Sequence, residues 1–138
     1  MTSSDPLLTS QLVRNHLLQS NDLLTIVDDR VYTSHFFEFD DGTIEMPMVI
    51  IELVGGSANY ASENQKVNLH IYAYSRLSAG QALEVYQAVY LQLHASDLKN
   101  TSIGMSGTAV EIERPIQGYM DSQRAYFYRA RYDLFTVG

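Results

Sequence analysis

Histidine is the residue that most often supplies acid–base and metal chemistry, and this chain has four of them. They stand at positions 16, 35, 70 and 94, so none lies at the short spacing that two ligands on one helix or strand use. We therefore interpret each histidine as structural, and we expect neither a metal site nor a cofactor.

Two short motifs approach known chemistry and then depart from it. "FDDGTIE", residues 39–45, has acids around a glycine but lacks the alternating oxygen ligands of a calcium loop. "GMSG" contains Ser106, yet Thr108 stands where the nucleophile elbow G-x-S-x-G has its last glycine. No histidine follows His94, so the order of serine, acid and histidine cannot be completed. The sequence therefore predicts a protein that is not an enzyme.

Length and composition predict one domain over residues 1–138. The chain has no cysteine, which excludes disulfides and thiolate metal sites. Met1 is followed by the polar residues "TSSD" and not by a basic and then an apolar stretch, so no secretory signal is predicted. No apolar run approaches the ~20 residues of a membrane span. We expect a soluble intracellular protein with no membrane partner.

The distribution of charge argues against a reader of nucleic acid. The net charge is -7, whereas such proteins need a basic surface for phosphates. Residues 28–52 contain seven acids and one arginine, while residues 114–138 contain four arginines and two acids. The ten tyrosines suit half-buried surfaces, because the ring packs while the hydroxyl stays in water.

The first half of the chain predicts a helix and a buried strand. Asp5 is an N-cap with Pro6 at the first helical position, and leucines recur at helical spacing as far as Ser20. "SNDLLTIV" is interpreted as a short second turn and "RVYTS" as a short strand. Residues 47–54, "PMVIIELV", predict a buried strand that begins at its proline. Residues 55–65, rich in glycine, serine and asparagine, predict a hairpin tip.

The second half of the chain completes the predicted fold class. Residues 66–75, "KVNLHIYAYS", alternate as an antiparallel strand with one wetter face does. Ser78 and Gln81 form a capping box that opens the clearest helix. Residues 96–107 predict a loop with weak strand content, and two strands joined by a turn near Met120 follow. We predict an α+β domain, in which two helices pack on one face of a mainly antiparallel sheet, with an extended loop or hairpin.

This order of segments, along nearly the full chain, resembles the tail-terminator family of long-tailed bacteriophages, also called tail-completion or tail-to-head joining proteins. The resemblance rests on the leucine-rich first helix, "DDRVYTS", "MPMVIIELVGG", "VNLHIYAYS" followed by "SAGQALEVYQAVYLQL", and "RAYFYRARYDLFTV". A long aromatic and acidic insertion before Met46 departs from the family pattern.

The resemblance implies a structural virion protein at the junction of tail and head. Members form a ring, usually a hexamer, that caps the tail tube, stops its polymerisation and offers the docking surface for the capsid neck. The implied partners are other copies of the chain, the tail tube protein and a head-completion or neck protein. DNA passes through the lumen without sequence-specific binding. Another neck component, such as a head-closure or adaptor protein, is the closest alternative.

Composition agrees with a ring at three points. Tyrosine-rich surface suits subunit contacts, and segregated charge suits contacts in which two different patches meet. An acidic lumen would repel the DNA backbone. Each feature also has a plain interpretation, in which the tyrosines pack in the sheet and the charges are solvated.

The segment "HFFEFDDGTIE", residues 35–45, combines aromatic and acidic side chains. In an extended segment Phe37 and Phe39 share one face while Phe36 points to the other, so one monomer cannot easily bury all three. We predict that these rings contact a neighbouring subunit or the tail tube. The alternative is that they fold back over the sheet edge as a local lid.

Charged residues complete the predicted interface. Four acids of this segment would keep the free subunit soluble and, in the assembly, would meet Arg129 or Arg131 of another copy: Glu38, Asp40, Asp41 and Glu45.

A different class of function is also open, namely a small-molecule-binding or enzymatic α+β domain. Its pocket would use the wetter face of the sheet, where side chains alternate along one strand: Asn68, His70, Tyr72 and Tyr74. A deep apolar pocket with perturbed titratable groups would favour this class.

Overall fold

The computed structural model describes residues 6–33, 45–59, 64–100 and 105–137. Within them the chain forms three helices and six strands: α1 Pro6–Leu17, α2 Asn21–Val27, β1 Val31–Tyr32, β2 Met48–Asn59, β3 Asn64–Ser75, α3 Ala79–Leu93, β4 Ser96–Asn100, β5 Met105–Met120 and β6 Ala125–Val137. The predicted α+β class is confirmed. The segment interpreted as a short second turn is a helix of its own, α2.

The six strands form one sheet in the order β1-β2-β3-β6-β5-β4. β1 is parallel to β2, and every other neighbouring pair is antiparallel. The short strand β1 pairs only Val31 and Tyr32 with β2, and β4 pairs with the first five residues of β5. Most of β5 therefore extends beyond β4 along the sheet edge.

The main core lies between the helices and one face of the sheet. Every second side chain of β3 points to this face, and the alternating side chains of β6 meet them. All three helices contribute to the same cluster, so they cover one face as predicted. Its buried members include Leu12, Leu17, Leu23, Val85, Val89, Leu93, Leu69, Ile71, Tyr132 and Leu134.

Serine side chains begin two of the helices. The Ser20 hydroxyl accepts a hydrogen bond from the Leu23 amide at the start of α2. At α3 the Ser78 hydroxyl accepts from the Gln81 amide at 3.0 Å, which is one half of the predicted capping box. The other half differs, because the Gln81 side chain accepts from the Ser75 hydroxyl at 2.6 Å. Ser75 therefore links the end of β3 to the first turn of α3.

The sheet face opposite the helices, here called the open face, has a smaller core of its own. Met48, Ile50, Tyr74 and Ala125 are buried there, with Phe127 and other side chains packed against them. The alternation predicted for residues 66–75 is confirmed. The prediction of a wetter face is wrong at Tyr74, which has no exposed surface because neighbouring strands cover its ring.

Two predicted loops contain more strand than the sequence indicated. β2 continues to Asn59 and β3 begins at Asn64, so pairing extends through most of the predicted hairpin tip. Ser96–Asn100 is a full strand, although residues 96–107 were predicted to be a loop with weak strand content. In both places cross-strand hydrogen bonds form despite the low strand propensity of glycine, asparagine and serine.

Candidate functional site

The predicted interface residues fall into two groups. Phe36, Phe37, Phe39, Asp40 and Asp41 lie outside the described residues, so their predicted contacts stay predictions. Arg129 and Arg131 lie on β6 with their side chains on the open face, opposite Tyr72 and His70 of β3.

Four polar side chains, with a carboxylate at each end, cross the open face in one row, here called the charged row. Glu52, His70, Arg131 and Glu113 are directly opposite one another on β2, β3, β6 and β5. The His70 Nδ1 atom lies 3.4 Å from a Glu52 oxygen, and an Arg131 nitrogen lies 3.6 Å from a Glu113 oxygen. Arg131 and Glu113 are opposite charges on neighbouring strands, and such a pair stabilises the pairing of those strands.

Further pairs make the open face nearly neutral. Lys66 lies 3.4 Å from the carboxylate of Asp133. Burial and the nearby Glu52 carboxylate raise the pKa of Tyr72, and the Arg129 guanidinium opposes this by hydrogen bonding to the hydroxyl. If the ring has an acidic DNA channel, residues outside the open face would therefore have to line it.

Some polar atoms of the open face lack partners within the described residues. They are His70 Nδ1, Arg131 Nε and Asp133 Oδ1, all buried and without a hydrogen bond. Buried polar groups are normally paired. Two of the three groups instead make the ionic contacts described above, His70 Nδ1 with Glu52 and Asp133 with Lys66.

The other described histidines have structural roles. The His16 ring nitrogen Nε2 lies 2.8 Å from the Gln92 carbonyl oxygen, and the Gln92 side chain donates to the His16 carbonyl, which joins α1 to α3. His94 Nδ1 accepts from the Glu111 amide at 3.0 Å. In the described parts of the chain no three acidic or histidine side chains cluster as metal ligands, and no helix there is long and apolar enough to cross a membrane.

A groove of about 410 Å³ runs between α3 and the edge of β5, here called the α3–β5 groove. Leu83, Tyr90 and Leu91 form its wall on the helix. Arg114 and Pro115 form the opposite wall, at a point where two irregularities interrupt the pairing of β5 with β6. Bulges and proline are typical of an edge strand that does not extend its ladder. A partner in this groove would therefore contact side chains and would not add a strand to the sheet.

Three hydrogen-bonded side chains form the floor of the groove and the core beneath it. The Tyr86 hydroxyl bonds to the Glu111 carboxylate and lies 2.8 Å from the Tyr132 hydroxyl. The Glu111 side chain is 6% exposed, and a nitrogen of Arg114 lies 3.7 Å from it. Burial raises the pKa of Tyr86 and of Tyr132, and the Glu111 carboxylate raises both further. The buried carboxylate is thus satisfied by a tyrosine and an arginine.

The raised pKa limits what the two tyrosines can do chemically. A tyrosine serves as a base or nucleophile only after it loses its proton, and a raised pKa keeps Tyr86 and Tyr132 protonated. Titratable groups with a perturbed pKa, which the small-molecule or enzymatic alternative needs, are thus present at the groove floor and in the core beneath it.

The buried tyrosines predict alkaline unfolding. Burial raises the pKa of Tyr74, Tyr86 and Tyr132, whereas the unfolded chain ionises each near pH 10. Their stabilising effect is complete below about pH 10 and is lost above it, at up to about 1.4 kcal/mol per pH unit for each tyrosine. We expect phenolate absorbance from these three to rise only as the sheet unfolds. Ionisation of all ten tyrosines before unfolding would contradict this.

Sequence reasoning did not identify the α3–β5 groove. Leu91 lies off the apolar stripe of α3 that Ala82, Tyr86, Val89 and Leu93 form, and it is 76% exposed, which is unusual for leucine on a packed helix. That off-stripe position was the available signal. No signal in the sequence indicated that Glu111 bonds to Tyr86, because 25 residues separate them and bulges shift the register of β5.

The fold is similar to that of a chain in the virion of a native gene transfer agent (GTA) particle. The match has a TM-score of 0.66, covers 94% of this chain and 94% of that chain, and has 12% sequence identity. No family model matches the sequence, and no curated protein matches it at a significant level. At this identity the likeness shows a shared fold, one that occurs in the virion of a gene transfer agent particle.

Proposed function

We propose that this chain is a structural virion protein that caps a phage tail tube as a homo-oligomeric ring, with six copies as the resemblance implies. The ring stops tube polymerisation and presents the surface on which a neck protein docks. DNA passes through its hole. The chain performs this role without catalysis and without a cofactor.

The observation that carries the proposal is the fold match to a chain of the GTA virion particle. The match spans 94% of both chains, so it concerns the whole domain and not a shared subdomain. The segment order of the sequence independently resembles the tail-terminator family. A fold from a virion and a sequence pattern from a tail protein support the same class of function.

The two sides of the sheet support contacts of the kind that close a ring. The β1 side carries Asp28, Asp29 and Glu45, whereas the β5 side carries Arg114 with its side chain 89% exposed. A contact between two different patches is heterologous, and repetition of such a contact gives a ring when the rotation closes. A contact of the exposed Arg114 with an acid of the β1 side of the next copy would be of this kind.

The same fold match is compatible with a head-closure or adaptor protein, because the similar chain is described only by its particle. The two alternatives differ in the partner they bind. A terminator binds the end of a tail tube, whereas a head-closure protein binds the capsid side of the neck and leaves tube growth unchanged.

Tube capping is the direct test. Purified tail tube protein of the same phage is allowed to polymerise with and without this chain, and tube length is measured by electron microscopy. We expect short, uniform tubes with a ring at one end. In solution, or on the tube, we expect a particle about six times the 15.6 kDa chain mass.

A chain that stays monomeric, leaves tube length unchanged and binds no tube end would contradict the proposal. A monomer in the absence of tubes does not decide the matter, so the measurement is made with tubes present. Binding to neck protein with unchanged tube growth would favour the head-closure alternative.

A further inference from the structure

We propose that the α3–β5 groove of one copy receives residues 34–44 of the neighbouring copy. The inference rests on the proposed function in one respect, that the chain assembles with copies of itself. It identifies the receptor for the phenylalanine-rich segment, which the sequence alone did not.

The chemistry of the groove matches that of the segment. The groove wall is apolar and aromatic, and Leu91 projects from it with 76% of its surface exposed. Phe36, Phe37 and Phe39 are large apolar side chains of the size that such a wall can cover. Single exposed leucines are ordinary, but one at the rim of an apolar groove adds to a contiguous patch.

Charge provides the second match. Arg114 stands at the groove with an 89% exposed side chain, and its nearest acid, Glu111, is buried and already bonded to Tyr86. The outer side of the Arg114 guanidinium is therefore open to a further carboxylate. The segment carries Glu38, Asp40 and Asp41 between and after its phenylalanines. An arginine beside an apolar groove suits a segment in which acids and rings alternate.

Distance favours a neighbouring copy over the same chain. The segment begins after Thr33, at the end of β1, and returns at Glu45, beside Arg30. The groove lies four strand positions away at β5, which is about 19 Å across the sheet. A segment of 11 residues that leaves and returns reaches about 18 Å when fully extended. The helices cover the intervening face, so the path within one chain is longer than this reach.

The start of the segment and the groove lie at the same level along the strand direction, which suits a closed ring. Tyr32 pairs with Ile50, so the segment leaves the sheet near the level of Glu52. The charged row connects Glu52 to Glu113 at the same level on β5, beside the groove residues 111–115. Lateral contact between copies therefore needs little rise along the strands. A repeated contact without rise closes into a ring, whereas one with rise forms a helix.

Disulfide trapping tests the contact, because the natural chain has no cysteine. Glu38→Cys is made in one batch and Gln87→Cys, at an exposed groove position, in a second batch with a larger tag. The two are mixed under assembly conditions and oxidised. We expect a heterodimer of Glu38→Cys and Gln87→Cys as the main cross-linked product, because docking raises the effective thiol concentration.

The matched control is Leu77→Cys, which places the thiol on another exposed site outside the groove. Leu77 is 75% exposed and does not line the groove. We expect about tenfold less cross-linking to this position. Equal yields for Gln87→Cys and Leu77→Cys would overturn the inference.

The double variant Glu38→Cys/Gln87→Cys separates contacts between copies from contacts within one chain. Chains joined to one another support the proposal, and a disulfide within each monomer overturns it. The result is also independent of tube capping. Tubes that are capped without the Glu38–Gln87 cross-link refute the groove contact alone, whereas the cross-link without capping supports the groove and refutes the terminator role.

Discussion

Replacing Phe37 and Phe39 with serine is expected to abolish ring assembly and tube capping while the free subunit keeps its thermal unfolding midpoint. Burial of a phenylalanine side chain stabilises a contact by about 2–3 kcal/mol relative to exposure. Loss of two rings from each subunit contact therefore weakens it by roughly 10³- to 10⁴-fold. Sedimentation measures the assembly, electron microscopy measures the capping, and thermal melting measures the subunit.

The control for this experiment is Leu77→Ser, which removes an exposed apolar side chain outside the groove. We expect it to leave assembly, capping and stability unchanged. If the double serine variant loses thermal stability as a monomer, the rings belong to the core and the local lid is the correct interpretation. If it assembles as the natural chain does, the segment is not an interface.

The parts of the fold that sequence predicted best are those where one face of an element is buried. Residues 66–75 alternate with period two because Leu69, Ile71 and Ala73 face the helices. The final strand alternates for the same reason, with Tyr132 and Leu134 in the core. A buried face imposes its period on the sequence, and that period can be read without knowledge of the partner.

The parts that sequence predicted poorly depend on neighbours distant along the chain. Tyr74 alternates with the apolar residues of β3 and has a polar hydroxyl, so the sequence pattern assigned it to the wetter face. Met48 and Ile50 from β2 and Ala125 from β6 cover that end of the sheet and bury it. β4 forms because β5 supplies the hydrogen-bonding partner, which the sequence of Ser96–Asn100 does not reveal.

The candidate surfaces divide in a similar way. Arg129 and Arg131 alternate with the buried Ala130 and Tyr132, so alternation alone assigns them to the face opposite the core. Sequence could not show that Arg131 already pairs with Glu113, since register between strands sets that distance. The α3–β5 groove needs the bulges of β5 and the exact position of α3, and no local pattern encodes either.

Phe127→Ala is expected to lower the free energy of unfolding by about 3 kcal/mol, the low end of the usual range because the ring is half-buried. The ring centre of Phe127 lies 5.5 Å from that of Tyr74 and 6.0 Å from that of Tyr72. On its other side the ring covers Gly118, where an added Cβ would lie 2.4 Å from the ring. The open face therefore depends on one ring held between two tyrosines and a glycine.

Gly118→Ala tests this geometry from the opposite side of the ring. The two tyrosines prevent the ring from moving away freely, so we expect overpacking to destabilise the fold by about 2 kcal/mol. In the Phe127→Ala background the added methyl meets no ring, and Gly118→Ala should then cost close to nothing. Chemical denaturation of the four proteins in this cycle measures the coupling, which we expect to be about 2 kcal/mol. If the two costs simply add, Phe127 does not lie against Gly118, and the open face is packed differently from the arrangement described.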